Sequence, residues 1–306
     1  MRTPSWLFAI LLSTFLVGCL VNGNTTTTQK TSAQTTSGYD LEQPTSTDIL
    51  PDTLHEVSGL TDIDSRTVAC VQDENGVIFF YDLEKREIVR QFQFHLDGDY
   101  EGITRIGNVI YILRSDGIVY GVENYEDLNF ILHTYTTGIP AANNEGLCHD
   151  PVNNRLLIAC KSKLGKGPEF KDKRAIYAFD LKTKKLSDDP VFEFDVQTMR
   201  EFAKGQKIDL PTRKKGKDGG IEEPILKFRA SAIGVHPIRK QLYILSAADH
   251  LFFIFDLEGK LLDLEPLDPH VFNKAEGITF MENGDMLITN EGQDAKPTLL
   301  RFTYNK

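Results

Sequence analysis

The chain is short of the residues that mark most catalytic and metal-binding classes. It carries 4 cysteines, none in CxxC spacing, so the usual zinc and dithiol frameworks are absent. It contains no GxSxG, HExxH or P-loop pattern, and the serine-hydrolase, zincin and nucleotide-phosphate signatures go with them. Positive charge is also scarce. With 34 Lys and Arg against 44 Asp and Glu, the net charge of −10 argues against a nucleic-acid or anionic-membrane partner and suits a cation-attracting surface. The 7 histidines do not cluster: His149 and His236 fall at turns and read as structural, and His95, His250 and His270 fall in loops and read as surface residues.

Long apolar runs are missing too, apart from Trp6 to Val17, which is interrupted by Ser13 and Thr14. That run follows Arg2, is too short for a membrane span and reads as an export signal. It ends in Leu16-Val17-Gly18-Cys19, which resembles a bacterial lipobox, so residues 1–19 are expected to be a lipoprotein signal with Cys19 lipidated. Residues 20–47 are rich in Thr, Ser, Gln and Asn and read as a disordered tether. Residues 48–306 are left for the folded domain. Within it, Cys70 and Cys160 lie in apolar strand patterns and read as buried free thiols.

What is present is a repeat. Tyr100-Glu101-Gly102-Ile103 returns as Asn144-Glu145-Gly146-Leu147 and as Ala275-Glu276-Gly277-Ile278. Val57-Ser58-Gly59-Leu60 and Ala230-Ser231-Ala232-Ile233 are softer copies with Ser in place of Glu. The Glu or Ser positions are 43, 44, 86 and 45 residues apart. A period of this size is one four-stranded propeller blade. Each motif is followed by an apolar strand, a strand ending in Asp-Leu or similar, and a fourth strand, as in Ser58 to Ile63, Thr67 to Val71, Val77 to Leu83 and Ile88 to Phe94. The doubled gap contains residues 197–228, which lack alternating strands, include one short helix from Gln197 to Lys204, and end in a basic, glycine-containing run. The expected fold is therefore an all-β, five-bladed β-propeller with an insertion between blades three and four. The fifth blade runs out of chain after three strands, and the segment between Asp48 and Val57 is the expected donor of its fourth.

The innermost strand of each blade lines a propeller's channel. The motif opens that strand, its small residue permits crowding at the axis, and its aliphatic is expected to point back into the blade. Ser58, Glu101, Glu145, Ser231 and Glu276 should then ring one mouth. The second strands return to that face near Asp73, Arg114, Asp116, Lys161, Asp249 and Glu291. Three converging carboxylates either bind a cation, pair with Arg114 and Lys161, or remain hydrated. All-oxygen donors without clustered His or Cys favour Ca²⁺ over zinc, with Glu101, Glu145 and Glu276 as its ligands and Ser58 and Ser231 as outer contacts.

Glu56-Val57-Ser58-Gly59-Leu60, the following Asp73-Glu74, Asp99-Tyr100-Glu101-Gly102-Ile103 and Ala275-Glu276-Gly277-Ile278 together resemble the SdiA-regulated β-propeller family of exported bacterial proteins. The resemblance spans roughly residues 48–304 and departs at the insertion and the leader. It is similar in turn to NHL-repeat and phytase-like propellers, and implies five blades with a bound calcium ion but no defined reaction. The expected protein is a monomeric, calcium-binding envelope lipoprotein, anchored through Cys19 at the outer membrane. Its propeller would bind or sense a small molecule or an envelope protein. A metal-dependent hydrolase of phosphoesters or lactones is the alternative, and a metal-free interaction platform is the third reading.

Overall fold

The structure is a computed structural model that describes residues 37–127, 129–214 and 222–305. The export signal, the lipidation site at Cys19 and most of the tether lie outside the described residues.

Five antiparallel sheets follow the expected period. Blade one is Val57–Asp62, Thr67–Gln72, Val77–Asp82 and Glu87–Gln93. Blade two is Tyr100–Ile106, Val109–Arg114, Ile118–Glu123 and Ile131–Thr136. Blade three is Asn144–Asp150, Arg155–Cys160 and Lys173–Asp180, with its outer edge shared by the short strands Lys185–Leu186 and Phe192–Asp195. Blade four is Ala232–Val235, Leu242–Ser246, Leu251–Phe255 and Leu261–Pro266. Blade five contributes Ala275–Phe280, Met286–Asn290 and Thr298–Phe302.

The recurrent Asp after the third strand has a structural cause. Asp82 Oδ1 accepts from the backbone N–H groups of Glu84 and Lys85, and Asp180 Oδ1 does the same for Lys182 and Thr183. Each carboxylate thereby forms the turn that reverses the chain into the outer strand.

Third strands are buried on both faces because hydrophobic clusters fill the space between adjacent blades. Leu157, Phe194, Phe228, Leu242 and Phe253, for example, join blades three and four. Cys70, Cys148 and Cys160 are buried free thiols within this packing.

The ring is closed by Ser46–Ile49, which pairs antiparallel with Thr298–Phe302 in register Ser46↔Arg301 to Ile49↔Thr298. The donor thus overlaps the expected segment only at Asp48 and Ile49 and begins two residues earlier, at Ser46. Pro51 and the 3₁₀ turn Asp52–Leu54 interrupt the extended chain there, so only residues before them can pair. The fold also takes up residues assigned to the tether, since Tyr39 and Leu41 are buried in the cluster between blades four and five.

The insertion keeps its helix, Val196–Gly205, with Asp195 as N-cap accepting from Gln197 N–H at 2.9 Å. Val196, Met199 and Ala203 bury against the blade three–four cluster. Contrary to expectation, strands do occur in this segment: Thr212–Lys214 pairs with Glu222–Pro224. The residues between them, including Lys215 and Lys217 of the basic run, lie outside the described residues.

Candidate functional site at the acidic channel mouth

Every Glu of the motif sits on a β-bulge. Tyr100 faces Arg114 and Gly102 faces Leu113, which leaves Glu101 as the extra residue. Glu145 and Glu276 are extra in the same way, between Asn144 and Gly146 and between Ala275 and Gly277. A bulge re-aims one side chain without ending the strand, and here it brings all three carboxylates to the channel axis. They line one small axial cavity with a volume of about 10 Å³, room for roughly a single water-sized sphere.

The motif glycines allow the blades to meet beneath them. A Cβ on Gly102 would lie 2.6 Å from Leu147 Cβ, and one on Gly277 would lie 2.8 Å from the Ser58 carbonyl oxygen. The motif aliphatics pack on strands of their own blades, as expected, and also reach the neighbouring blade: Ile103, for example, shares a cluster with Ile112 of its own blade and Val71 of blade one. Leu60, Ile103, Leu147, Ile233 and Ile278 pack across to the neighbouring blade and form a buried collar under the glutamates.

Two lysines enter from the strand ends. Lys161 Nζ is 2.6 Å from Glu145 Oε1, and Lys274 Nζ is 3.7 Å from Glu276 Oε1 and pairs closely with Glu291. Lys161 is one of the two cations expected to serve as an ion-pair partner. Arg114, the other, is instead held by Asp116 at 2.8 Å and by the Tyr120 hydroxyl at 2.9 Å. Asp249 also lies elsewhere, accepting from the Lys227 and Phe228 N–H groups and fixing the end of the insertion. Ser58 and Ser231, expected as outer contacts, spend their hydroxyls on the backbone: Ser58 donates to Glu56 O and Ser231 donates to Ala275 O.

The sequence reading missed Lys274, Asp99 and Glu56 as members of this cluster. All three occupy the position two residues before the motif acid or serine, a column that could have been tabulated.

Carboxyl groups outnumber ammonium groups here. Glu101, Glu145, Glu276, Asp99, Asp73, Glu56 and Glu291 form one electrostatically linked set around Lys161 and Lys274. Burial, with Glu145, Asp99 and Glu276 nearby, pushes the Glu101 carboxyl up to about 9. Burial and Glu145 push Glu276 up to about 8 against the pull of Lys161 and Lys274. Burial and Glu56 raise Asp73 to about 7. Burial also raises Glu145, although Lys161 opposes it. For Lys161, burial favours the neutral form, but Glu276, Glu145 and Glu101 outweigh it and hold the ammonium charged.

The unfolded chain ionises these carboxyls near the ordinary range, whereas the folded chain keeps them protonated toward pH 8 to 9. The folded state therefore binds more protons from about pH 4.5 to about pH 9, and stability falls as pH rises through that window. Without divalent ions, the melting temperature is expected to drop by about 5 °C or more between about pH 5 and about pH 9. A flat or rising profile would show the glutamates to be hydrated rather than buried.

As a cation site, the donor set is all oxygen. Glu145 Oε2 is buried without a hydrogen-bond partner, and burial beside Glu145 and Asp99 disfavours the ionised form of Glu101. The residues therefore fit a hard ion in donor chemistry and charge. As the side chains stand, however, no three His, Cys, Asp or Glu residues are gathered closely enough to hold an ion, among the described residues.

No protein-family model matches the chain, and no curated protein matches it in sequence. Among solved structures it is similar to the PQQ-bound aldose sugar dehydrogenase of Streptomyces coelicolor, at 10% identity over 85% of this chain and 97% of that one, TM-score 0.50. A luciferin-regenerating enzyme matches at 10% identity over 85% and 95% of the two chains, TM-score 0.45. A protein of unknown function from Bacteroides thetaiotaomicron matches at 10% identity over 77% of this chain, TM-score 0.47, and the match spans 52% of its length. At such identities the likeness concerns the fold alone, and that fold is of the propeller type.

Proposed function

We propose that this chain is a binding or sensing propeller of the exported, lipid-anchored kind that the SdiA-regulated resemblance implies, and that its acidic mouth takes up Ca²⁺. The observation that carries the reading is the charge imbalance at the axis: three glutamates line one small cavity, and a buried Glu145 oxygen there has no partner. Glu101, Glu145 and Glu276 would hold the ion, which would neutralise them in place of protons. Lys161 would give up Glu145 as it enters.

The test is calorimetric titration of metal-stripped protein with Ca²⁺ in buffers of different ionisation enthalpy. One site is expected, with net release of about one to two protons, and affinity falling between about pH 8.5 and about pH 6. Glu101→Gln should abolish it. Absence of heat and of any melt shift at millimolar Ca²⁺ would favour the second reading, for which the 2.6 Å Lys161–Glu145 pair speaks: a lysine-neutralised cluster that merely closes the ring.

A further inference from the structure

The other end of the channel is a separate compartment. A funnel of about 1040 Å³ opens on the face of the first-to-second-strand turns, and its floor is the apolar collar of Leu60, Ile103, Leu147, Ile233 and Ile278. Its volume is at the upper end of the roughly 300–1,000 Å³ typical of small-molecule sites. The collar separates it from the acidic mouth, so the two ends differ in chemistry.

The funnel's walls are two-sided. Equivalent positions in the five inner strands are Asp62, Arg105, His149, Val235 and Phe280, so blades one to three present polar side chains and blades four and five apolar ones. The charges on the polar side have partners. Arg105 lies 3.7 Å from Asp62 and donates to the Asp62 carbonyl oxygen at 3.1 Å, and Arg301 at the rim is held by Asp285 at 2.6 Å. The Thr61 and Thr279 hydroxyls are committed as acceptors from Arg105 N–H and Asp62 N–H. His149 differs: its Nε2 is buried without a partner. That nitrogen lacks a hydrogen bond, and a ligand could supply one once the half-buried imidazole turns toward the funnel it lines.

We propose that the funnel is a binding site for a small neutral amphiphile, with its apolar body on the collar, Val235 and Phe280 and a hydroxyl or carbonyl group hydrogen-bonded to His149. A charged ligand is disfavoured beside His149 because the charges nearest it along the inner strands, Arg105 and Asp62, pair with each other, while Asp64, Lys240 and Glu282 stand in the turns at the rim. The site is independent of the cation proposed at the opposite mouth.

The test uses Nile red, which is neutral and carries a carbonyl, titrated into the full chain. Saturable one-to-one binding is expected. Val235→Trp, which fills the funnel, should weaken it at least about tenfold, and His149→Leu about fivefold, with His149→Gln restoring most of the loss. Octanol should displace the dye better than octanoate or octylammonium. Glu101→Gln should leave binding unchanged, which separates this site from the acidic mouth. Unsaturable binding, indifference to Val235→Trp in a variant that melts normally, loss in Glu101→Gln, or better displacement by either charged octyl compound would overturn the proposal.

Discussion

A chain that begins at Pro51 is expected to melt at least about 15 °C below the full protein, or not to fold at all. The missing segment holds both ends of the ring. Ser46–Ile49 supplies the outer strand of blade five, flanked by Thr45 N–H to Arg301 O at 2.7 Å and Leu50 N–H to Pro297 O at 2.9 Å. Asp48 pairs with Arg86 of blade one at 3.1 Å, so the strand also clips the fifth blade to the first. Upstream, the Tyr39 hydroxyl donates to Gly284 O at 2.5 Å, and Tyr243 donates to Ser37 O at 3.0 Å. Tyr39, Leu41 and Leu50 are all buried. At roughly 1.5–3 kcal/mol for each buried side chain, their loss alone is roughly 5–9 kcal/mol. That is comparable with the roughly 5–15 kcal/mol that holds a whole domain together. The check is thermal unfolding of the truncated chain, with a peptide of residues 37–50 added in trans. The peptide should recover part of the loss. A shift under about 3 °C would mean that the ring closes without its donor strand.

The repeat was legible because a propeller revisits one environment per blade. A small residue crowded by the next blade, glycine in four blades and Ala232 in the fourth, and an aliphatic at the neck are required each time, so they recur in the sequence. Ring closure from upstream was legible as well, since three strands in blade five leave one edge to fill. The donor's bounds were not, because they depend on where Pro51 stops the extended chain.

The bulge at each motif acid was hidden because register is a relation between two strands, and the period-2 pattern of one strand does not reveal an extra residue in it. For the same reason the aliphatic's contact with its own blade was legible and its second contact, with the neighbouring blade, was not. Lys161 could be placed at the mouth from its location at a strand end. Lys274 could not, because the column two residues before the motif changes character from blade to blade: Glu56, Asp99, Asn143, Arg229 and Lys274. Such variation hides a shared location that the recurring small residue announces.

Lys161→Met is the change that should disturb the mouth most. Lys161 is the close ion-pair partner of Glu145, whose side chain is only 6% exposed. Removing one partner of a buried pair costs roughly 3–5 kcal/mol because the remaining charge is stranded. In a chain of this size that is a fall of about 10 °C in melting temperature at pH 8. Glu145→Gln in the same chain should recover most of it, since no charge is then left to neutralise. At pH 5 the loss should be smaller, because Glu145, already raised by burial, can take a proton in place of the ammonium. Added Ca²⁺ separates the two readings of the site. If the mouth holds an ion, the variant should bind it more tightly than the parent and regain stability with it, because the competing cation has gone. If lysine alone neutralises the cluster, Ca²⁺ should leave the variant's melt where it was. An undiminished melt at both pH values would remove the premise common to both, that the axis holds more negative charge than it can carry unpaired.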